Sequence, residues 1–313
     1  MTISFTFPGQ GSQIVGMGRD FIENFPVARL VFEEVDDALN QKLSQLILDG
    51  PQEELTLTEN AQPALMAVSM AIVRTMEENL GKPITSLCSY LAGHSLGEYT
   101  ALCSAGVFSL QDTARLLRIR GKAMQQAVPV GIGSMAAILG LDAHEVESLA
   151  DDAALGEVCV IANDNSPGQI VLSGHKTAIE RAITLASERG AKKAIPLAVS
   201  APFHCSLMKP AADAMATALK ETTMNDAFKP IMSNVTAMPA KEVSLIRSLL
   251  IDQITARVRW REIGLNLGNL GVTTVIELGA GKVLTGLIKR INPGMNAIAV
   301  NSPSEMDAFL QTL

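Results

Sequence analysis

Gly93-His94-Ser95-Leu96-Gly97 sets a serine among small residues in the pattern G-x-S-x-G. Where such a run joins a strand to a helix, the turn is so tight that only small flanking residues fit, and the serine hydroxyl is lifted clear of the backbone as a nucleophile. The helix that follows aims its free N–H groups and positive end at the same place. A serine hydroxyl needs a base, and the chain holds four histidines. His94 adjoins the serine, but its side chain should diverge on the turn. His144 sits among acids on a solvated helix, and His175 opens a helix after Ser173-Gly174, where capping or exposure accounts for it. His204 follows a strand in Ser200-Ala201-Pro202-Phe203-His204, where the chain re-enters the cleft, and is the expected base.

The third member of a hydrolase triad is missing. The usual order is Ser, then Asp or Glu, then His, yet the acids between Ser95 and His204 belong mostly to surface helices and loops. A carbonyl group could orient the imidazole without adding a full charge, leaving a softer base suited to exchange between thioester and serine ester. Arg120 is the most informative charge. On a helix over 110–127 its neighbours three and four positions away are Leu116, Leu117, Ala123 and Met124, an apolar stripe, whereas Arg115, Arg118 and Lys122 share another face. An unpaired guanidinium there would cost on the order of several kcal/mol, so a carboxylate partner is expected. That partner is either a protein acid in a buried ion pair or a substrate carboxylate gripped by the planar fork.

Phe7-Pro8-Gly9-Gln10-Gly11-Ser12-Gln13 carries GxG after a strand, but Ile14 stands where a dinucleotide fingerprint needs a small residue. The two glycines better suit bringing the Gln10 N–H close to a reacting oxygen. With the N–H of Leu96 it would complete an oxyanion hole. Gly131-Ile132-Gly133 and Gly279-Ala280-Gly281-Lys282-Val283 fail as nucleotide loops, the second because Ile276 and Val283 replace the first glycine and the Ser/Thr of a P-loop.

The elements that must hold these residues alternate between strand and helix. A half-buried strand over 3–7 breaks at Pro8-Gly9. Val27, Leu30, Val31, Val35 and Leu39 line a helix behind Pro26, and a second helix over 61–80 stops at Gly81. A buried strand over 86–91 leads into the serine turn. Ser109 with Asp112 resembles a capping box opening the helix of Arg120. From Gly133 the period changes: strand 135–139, acidic helix 142–152, strand 158–163, a turn at Asn165-Ser166-Pro167-Gly168, strand 169–173, helix 176–189 and strand 194–199. That β-α-β-β-α-β order is ferredoxin-like. The α/β pattern resumes with strand 272–278, a helix from about 281 and strand 297–300. One α/β domain (1–128 and 199–313) with an inserted α+β lobe (129–198) is expected.

Composition narrows the function. The chain has 313 residues, 48% hydrophobic and 18% charged, with net charge −7, which excludes a disordered or nucleic-acid-wrapping protein. The four cysteines form no CxxC pair, so neither a disulfide framework nor a zinc site is expected. The uncharged run over 123–141 contains Pro129 and three glycines and is no membrane span. No basic segment precedes an apolar one at the start, and no exposed apolar stripe is left over, so a soluble cytoplasmic monomer is expected.

With these residues in hand, the sequence resembles the malonyl-CoA:acyl carrier protein transacylases of fatty-acid synthesis. Seven blocks carry the resemblance in order: FPGQGSQ (7–13), TENAQPAL (58–65), GHSLGEY (93–99), RGKAMQ (120–125), NSPGQIVLSG (165–174), PFHCSLMKPA (202–211) and GKVLTGLIKR (281–290). The resemblance implies a hydrolase-like parallel-sheet domain with a ferredoxin-like insertion. It implies Ser95 as the acylated nucleophile, His204 as base, Arg120 as clamp on the malonyl carboxylate, and Gln10 with Leu96 as oxyanion donors. Gln253 matches the position whose carbonyl, side chain or backbone, holds the histidine. Asn165 is implied as substrate-binding, and Leu96 and Phe203 fit the pattern that accompanies malonyl rather than methylmalonyl. Two departures are Asp164, at a position often aromatic and expected to touch pantetheine contacts, and Ala280 for a common proline.

The implied reaction is ping-pong transfer from malonyl-CoA to the phosphopantetheine thiol of acyl carrier protein, with no cofactor or metal. The family's carrier proteins are acidic, and Lys192, Lys193, Lys289 and Arg290 are the expected docking cations. Rival readings are a serine esterase or thioesterase sharing Ser95 and His204, and a non-catalytic carrier-protein-binding module.

Overall fold

Ile3–Phe7 (β1) is buried at every position, including Ser4 and Thr6. The sequence alternation predicts one wet face, but β1 lies in the middle of a parallel sheet, and such sheets are covered on both faces. The computed structural model describes residues 1–199 and 201–313; Ser200, in the segment before His204, lies outside the described residues. Among the described residues ten strands run in chain order: β1, β2 (Cys88–Gly93), β3 (Gly133–Leu139), β4 (Cys159–Ser166), β5 (Gln169–His175), β6 (Lys193–Pro196), β7 (Ile231–Met232), β8 (Pro239–Ala240), β9 (Thr274–Leu278) and β10 (Asn296–Val300). The first sheet has order β10-β9-β1-β2-β7-β8, parallel except for the β7–β8 pair.

The second sheet, β4-β5-β3-β6, pairs antiparallel throughout. Helices Ala143–Ala154 and Lys176–Glu188 sit on it over a separate apolar cluster that includes Ile138, Leu149, Leu172 and Ile179. The β-α-β-β-α-β order read from the sequence is therefore present, with corrected edges. β4 runs on through Asn165 and Ser166, which the sequence reading gave to the turn. Register shifts at Ile161/Asn163 and Asp164/Ser166 bend it. β6 stops at Pro196; Leu197, whose N–H still donates to the Met135 carbonyl at 2.9 Å, and Val199 line the cleft.

Other boundaries move for local reasons. A 3₁₀ turn at Ile84–Ser86 delays β2 to Cys88. Helix Pro26–Leu39 buries Ala28, Val31, Phe32 and Val35 while Leu30 is exposed, so its apolar stripe is rotated from the one read in the sequence by the larger Phe32. Helix Thr58–Leu80 ends at Gly81 in the left-handed region, as expected. Ser109 Oγ accepts from the Asp112 N–H at 3.0 Å to cap helix Leu110–Gln126, but the Asp112 carboxylate returns to Ser109 Oγ and the reciprocal box is absent. A complete box instead joins Asp142 and Glu145. Helices Lys209–Glu221, Val243–Asp252 and Trp260–Asn269 fill a stretch to which the sequence patterns assign no elements. Among the described residues no helix is long and apolar enough to cross a membrane.

Candidate active site

β2 ends at Gly93 and helix Leu96–Ser104 begins three residues later, so the chain reverses around Ser95. Ser95 has φ 52°, a conformation that costs a non-glycine residue energy and persists only where its surroundings hold it. Those surroundings are specific. A Cβ on Gly93 would strike the Gly97 carbonyl, and one on Gly97 would strike the Phe7 carbonyl. The Ser95 N–H donates to Asn234 Oδ1 at 2.7 Å, and Asn234 Nδ2 donates to the Gly93 carbonyl at 2.7 Å. Asn234 thus straps both sides of the turn, a role no sequence pattern announces.

The hydroxyl of Ser95 lies 2.8 Å from His204 Nε2, and His204 Nδ1 lies 2.8 Å from the main-chain oxygen of Gln253. With Nδ1–H donating to that carbonyl, Nε2 is free to accept the serine proton. The orienting group left open in the sequence is therefore the Gln253 backbone. Burial, then the nearby charge of Arg120, pull the imidazole down to about 3, so it rests neutral. The other histidines lie elsewhere. His94 Nε2 meets Asn165 Oδ1 at 2.8 Å, with its ring against Trp260. His144 is exposed. His175 neither caps its helix nor stands free: its Nδ1 accepts the Val158 N–H at 2.9 Å and ties β5 to the start of β4.

Arg120 is 1% exposed and its hydrogen-bond partners are all neutral. It donates to Gln62 Oε1 at 2.8 Å, Gln253 Oε1 at 2.9 Å and Ser95 Oγ at 3.1 Å, and lies 5.6 Å from the centre of the Tyr99 ring. Among the described residues no carboxylate forms an ion pair with it, unlike Arg181 with Glu157 or Arg261 with Asp164. Of the two partners allowed by the sequence, the protein acid is not in place. The nearest acid in the network is Glu98, on the first turn after Ser95. Its Oε2 accepts Gln253 Nε2 at 2.7 Å and the Asn234 N–H at 3.1 Å, and burial pushes its carboxyl up to about 7. Sequence reasoning missed Gln62, Glu98 and Asn234.

These groups open into a cavity of about 350 Å³ whose lining also includes Gln10, Leu96, Met124, Asn163 and Phe203. Leu96 opens its helix, so its N–H has no intrahelical acceptor. Gln10 faces the same space, its side chain 3.4 Å from Thr58 Oγ1. Asn165 does not line this cavity; with Gly9 and Gln10 it lines a smaller one next to it. Asp164 lines neither cavity, and its two oxygens accept from Arg261 Nε at 3.0 and 2.9 Å.

A neutral imidazole beside a hydroxyl, with a fixed cation in the same pocket, is equipment for a serine-dependent acyl transfer on an anionic acyl group. The model for the acyl transferase domain matches residues 4–294, and the chain belongs to that family. It is 47% identical over 312 residues to the malonyl CoA-acyl carrier protein transacylase of Bacillus subtilis (strain 168), covering 99% of this chain and 97% of that one. The Escherichia coli (strain K12) protein of the same name is 45% identical over 308 residues, 98% of each chain. The crystal structure of acyl-carrier-protein-S-malonyltransferase from Bartonella henselae superposes with TM-score 0.97 at 54% identity, covering 100% of this chain and 99% of that one. A type II PKS acyl-carrier protein in complex with its malonyl-transacylase gives TM-score 0.96 at 42% identity over 100% of both chains.

Proposed function

We propose that the protein moves the malonyl group from malonyl-CoA to the phosphopantetheine thiol of acyl carrier protein. The observation that carries this reading is Arg120: buried, free of any protein carboxylate in direct contact, and 3.1 Å from the serine oxygen. His204 takes the Ser95 proton as Oγ attacks the thioester carbonyl, and the N–H groups of Gln10 and Leu96 receive the oxyanion. The C–S bond breaks, CoA leaves with the proton from His204, and malonyl-Ser95 remains. The carrier thiol then attacks the ester, its proton passing through His204 to Ser95. Phe203 and Leu96 narrow the space around the malonyl methylene. Asn165, through His94, steadies the wall along which the pantetheine arm enters. Residues 129–198 form the inserted lobe that closes one side of the cleft. The reaction is cytoplasmic and one chain suffices for it.

Incubation with malonyl-CoA, acid quenching and intact-mass measurement test the reading. A malonyl adduct that persists in buffer and is discharged by holo acyl carrier protein is expected. Rapid loss to water would assign a thioesterase instead, and no adduct would leave a binding module.

The carrier docks on cations not already spent within the chain. Lys176, Arg181 and Arg189 pair with Glu180, Glu157 and Asp152, whereas Lys192, Lys193 and Lys289 are exposed, and Arg290 is exposed while donating to Gln169 Oε1 and the Gly286 carbonyl, neither of them an anion. Lys192→Glu should weaken transfer to carrier protein about three- to tenfold, within the reach of a rim charge, with acylation by malonyl-CoA unchanged. Unaltered transfer in a steady-state assay removes Lys192 from the docking surface.

A further inference from the structure

Glu98 is a buried carboxyl that the reaction above does not use. It is 4% exposed and sits between three parts of the site. Its Oε2 receives Gln253 Nε2, while Gln253 Oε1 receives Arg120 and the Gln253 main-chain oxygen receives His204. One amide therefore separates Glu98 from Arg120. The guanidinium has a counter-charge close enough to feel but not in direct contact, which leaves its donors available to a ligand. The other ionisable groups of the surrounding elements are Tyr99 on the same helix, His94 at the end of β2, and His204. Tyr99 is pushed up by burial and both histidines are pulled down by it, so all three stay neutral near pH 7.

We propose that Glu98 is a charge-compensating positioning residue: it shares Arg120, through the Gln253 amide, with the incoming substrate carboxylate, and takes up a proton from solvent when that carboxylate binds. Two anions flanking one buried cation repel each other, and the protein anion can be neutralised where the much more acidic malonyl group cannot. Binding is then linked to protons. The carboxylate is held more tightly when Glu98 is protonated and more weakly as pH rises and Glu98 ionises. An acetyl group, without a carboxylate, is indifferent to this. The inference rests on the transferase reading, because it needs a carboxylate at Arg120.

Glu98→Gln is a direct test, because both donors bond one oxygen, Oε2. An amide oxygen can occupy that position and keep both hydrogen bonds while the charge is lost. The probe is malonyl-N-acetylcysteamine, which carries no phosphate, with its acetyl counterpart as control. For the unaltered protein the half-saturating concentration for acylation should rise about fivefold between pH 6 and 8, part of the tenfold limit that one pKa unit of coupling sets. In Glu98→Gln the rise should be under twofold, and the acetyl thioester should show none in either protein. A flat malonyl profile in the unaltered protein, or an equal slope in Glu98→Gln, overturns the proposal. If Glu98→Gln does not fold, calorimetry of the same malonyl thioester binding to Ser95→Ala, in phosphate and in Tris at pH 7, should show fractional proton uptake; zero uptake overturns it. Failure of Ser95 to be malonylated at any pH would instead undo the transferase reading.

Discussion

Replacing His204 by alanine is expected to slow malonylation of Ser95 by about 10²–10⁴-fold, the range of a positioned general base. The other imidazole on the cavity wall, His94, is held by Asn165 at 2.8 Å. His204 Nε2 is 2.8 Å from the serine oxygen, and the neighbouring donor on that oxygen, Arg120, is a cation that cannot accept a proton. Arg120 lowers the energy of a serine oxyanion, so some residual acylation should survive. Rapid quenching at saturating malonyl-CoA, followed by mass measurement, reads the effect; a loss under tenfold would remove His204 as the base. The same experiment on the unaltered protein carries a pH signature. Burial and the Arg120 charge depress the imidazole to about 3, so it is already the neutral, accepting form across the neutral range. Binding of an anion to Arg120 relieves the smaller of these two causes and leaves burial. The acylation rate at saturation should therefore show no acid limb near the ordinary imidazole value of about 6.5.

The depressed imidazole also fixes the sign of one contribution to stability. The unfolded chain protonates His204 near the ordinary value whereas the folded one resists, so this contribution is complete above that range and falls away as pH drops toward 3. A histidine held by a carbonyl rather than a carboxylate tolerates such burial because the neutral ring has both nitrogens satisfied, by Ser95 and by Gln253.

Much of this arrangement was legible in the sequence. Small residues must flank a serine on a strand-to-helix turn, and a guanidinium on an apolar stripe demands an anion, so Ser95 and Arg120 stood out by physics. His204 stood out by position. The supports did not. Asn234 and Glu98 act across 136 residues of chain, and no local pattern encodes that proximity. Gln62 carried a readable signal that went unused: an amide in the buried run of helix Thr58–Leu80 is as anomalous as an arginine in its own helix. The side of β4 on which Asn163, Asp164 and Asn165 lie could not be read from alternation, because the register shifts within those few residues. The polar alternation of β1 misled for the opposite reason: Ser4 and Thr6 face a second buried layer rather than water.

Removing the guanidinium should change which acyl group is used. Arg120→Ala is expected to cut kcat/KM for malonyl-CoA by about 10²–10³-fold, the loss of a buried charge pair worth about 3–5 kcal/mol. Acetyl-CoA should lose far less, so that preference swings toward the uncharged acyl group. The physical reason is asymmetric. With Arg120 present, an acetyl group leaves the guanidinium with no anion in direct contact, whereas malonyl supplies one. With alanine in place, a malonyl carboxylate is driven into a cavity lined by Met124, Leu96 and Phe203, against the amide oxygens that Gln62 and Gln253 turn to the guanidinium, and it becomes the unpaired charge. Arg120→Lys separates charge from shape. It keeps a cation but cannot span Gln62, Gln253 and a carboxylate with one planar fork, so malonyl activity should fall between the other two proteins while selectivity over acetyl persists. Competition between malonyl-CoA and acetyl-CoA for Ser95, read as the ratio of the two adduct masses, measures this without separate kinetics. Equal loss for both acyl groups in Arg120→Ala would mean that the residue serves only to hold Ser95 and Gln253 in place, and the selectivity would have to come from the walls of the cavity alone.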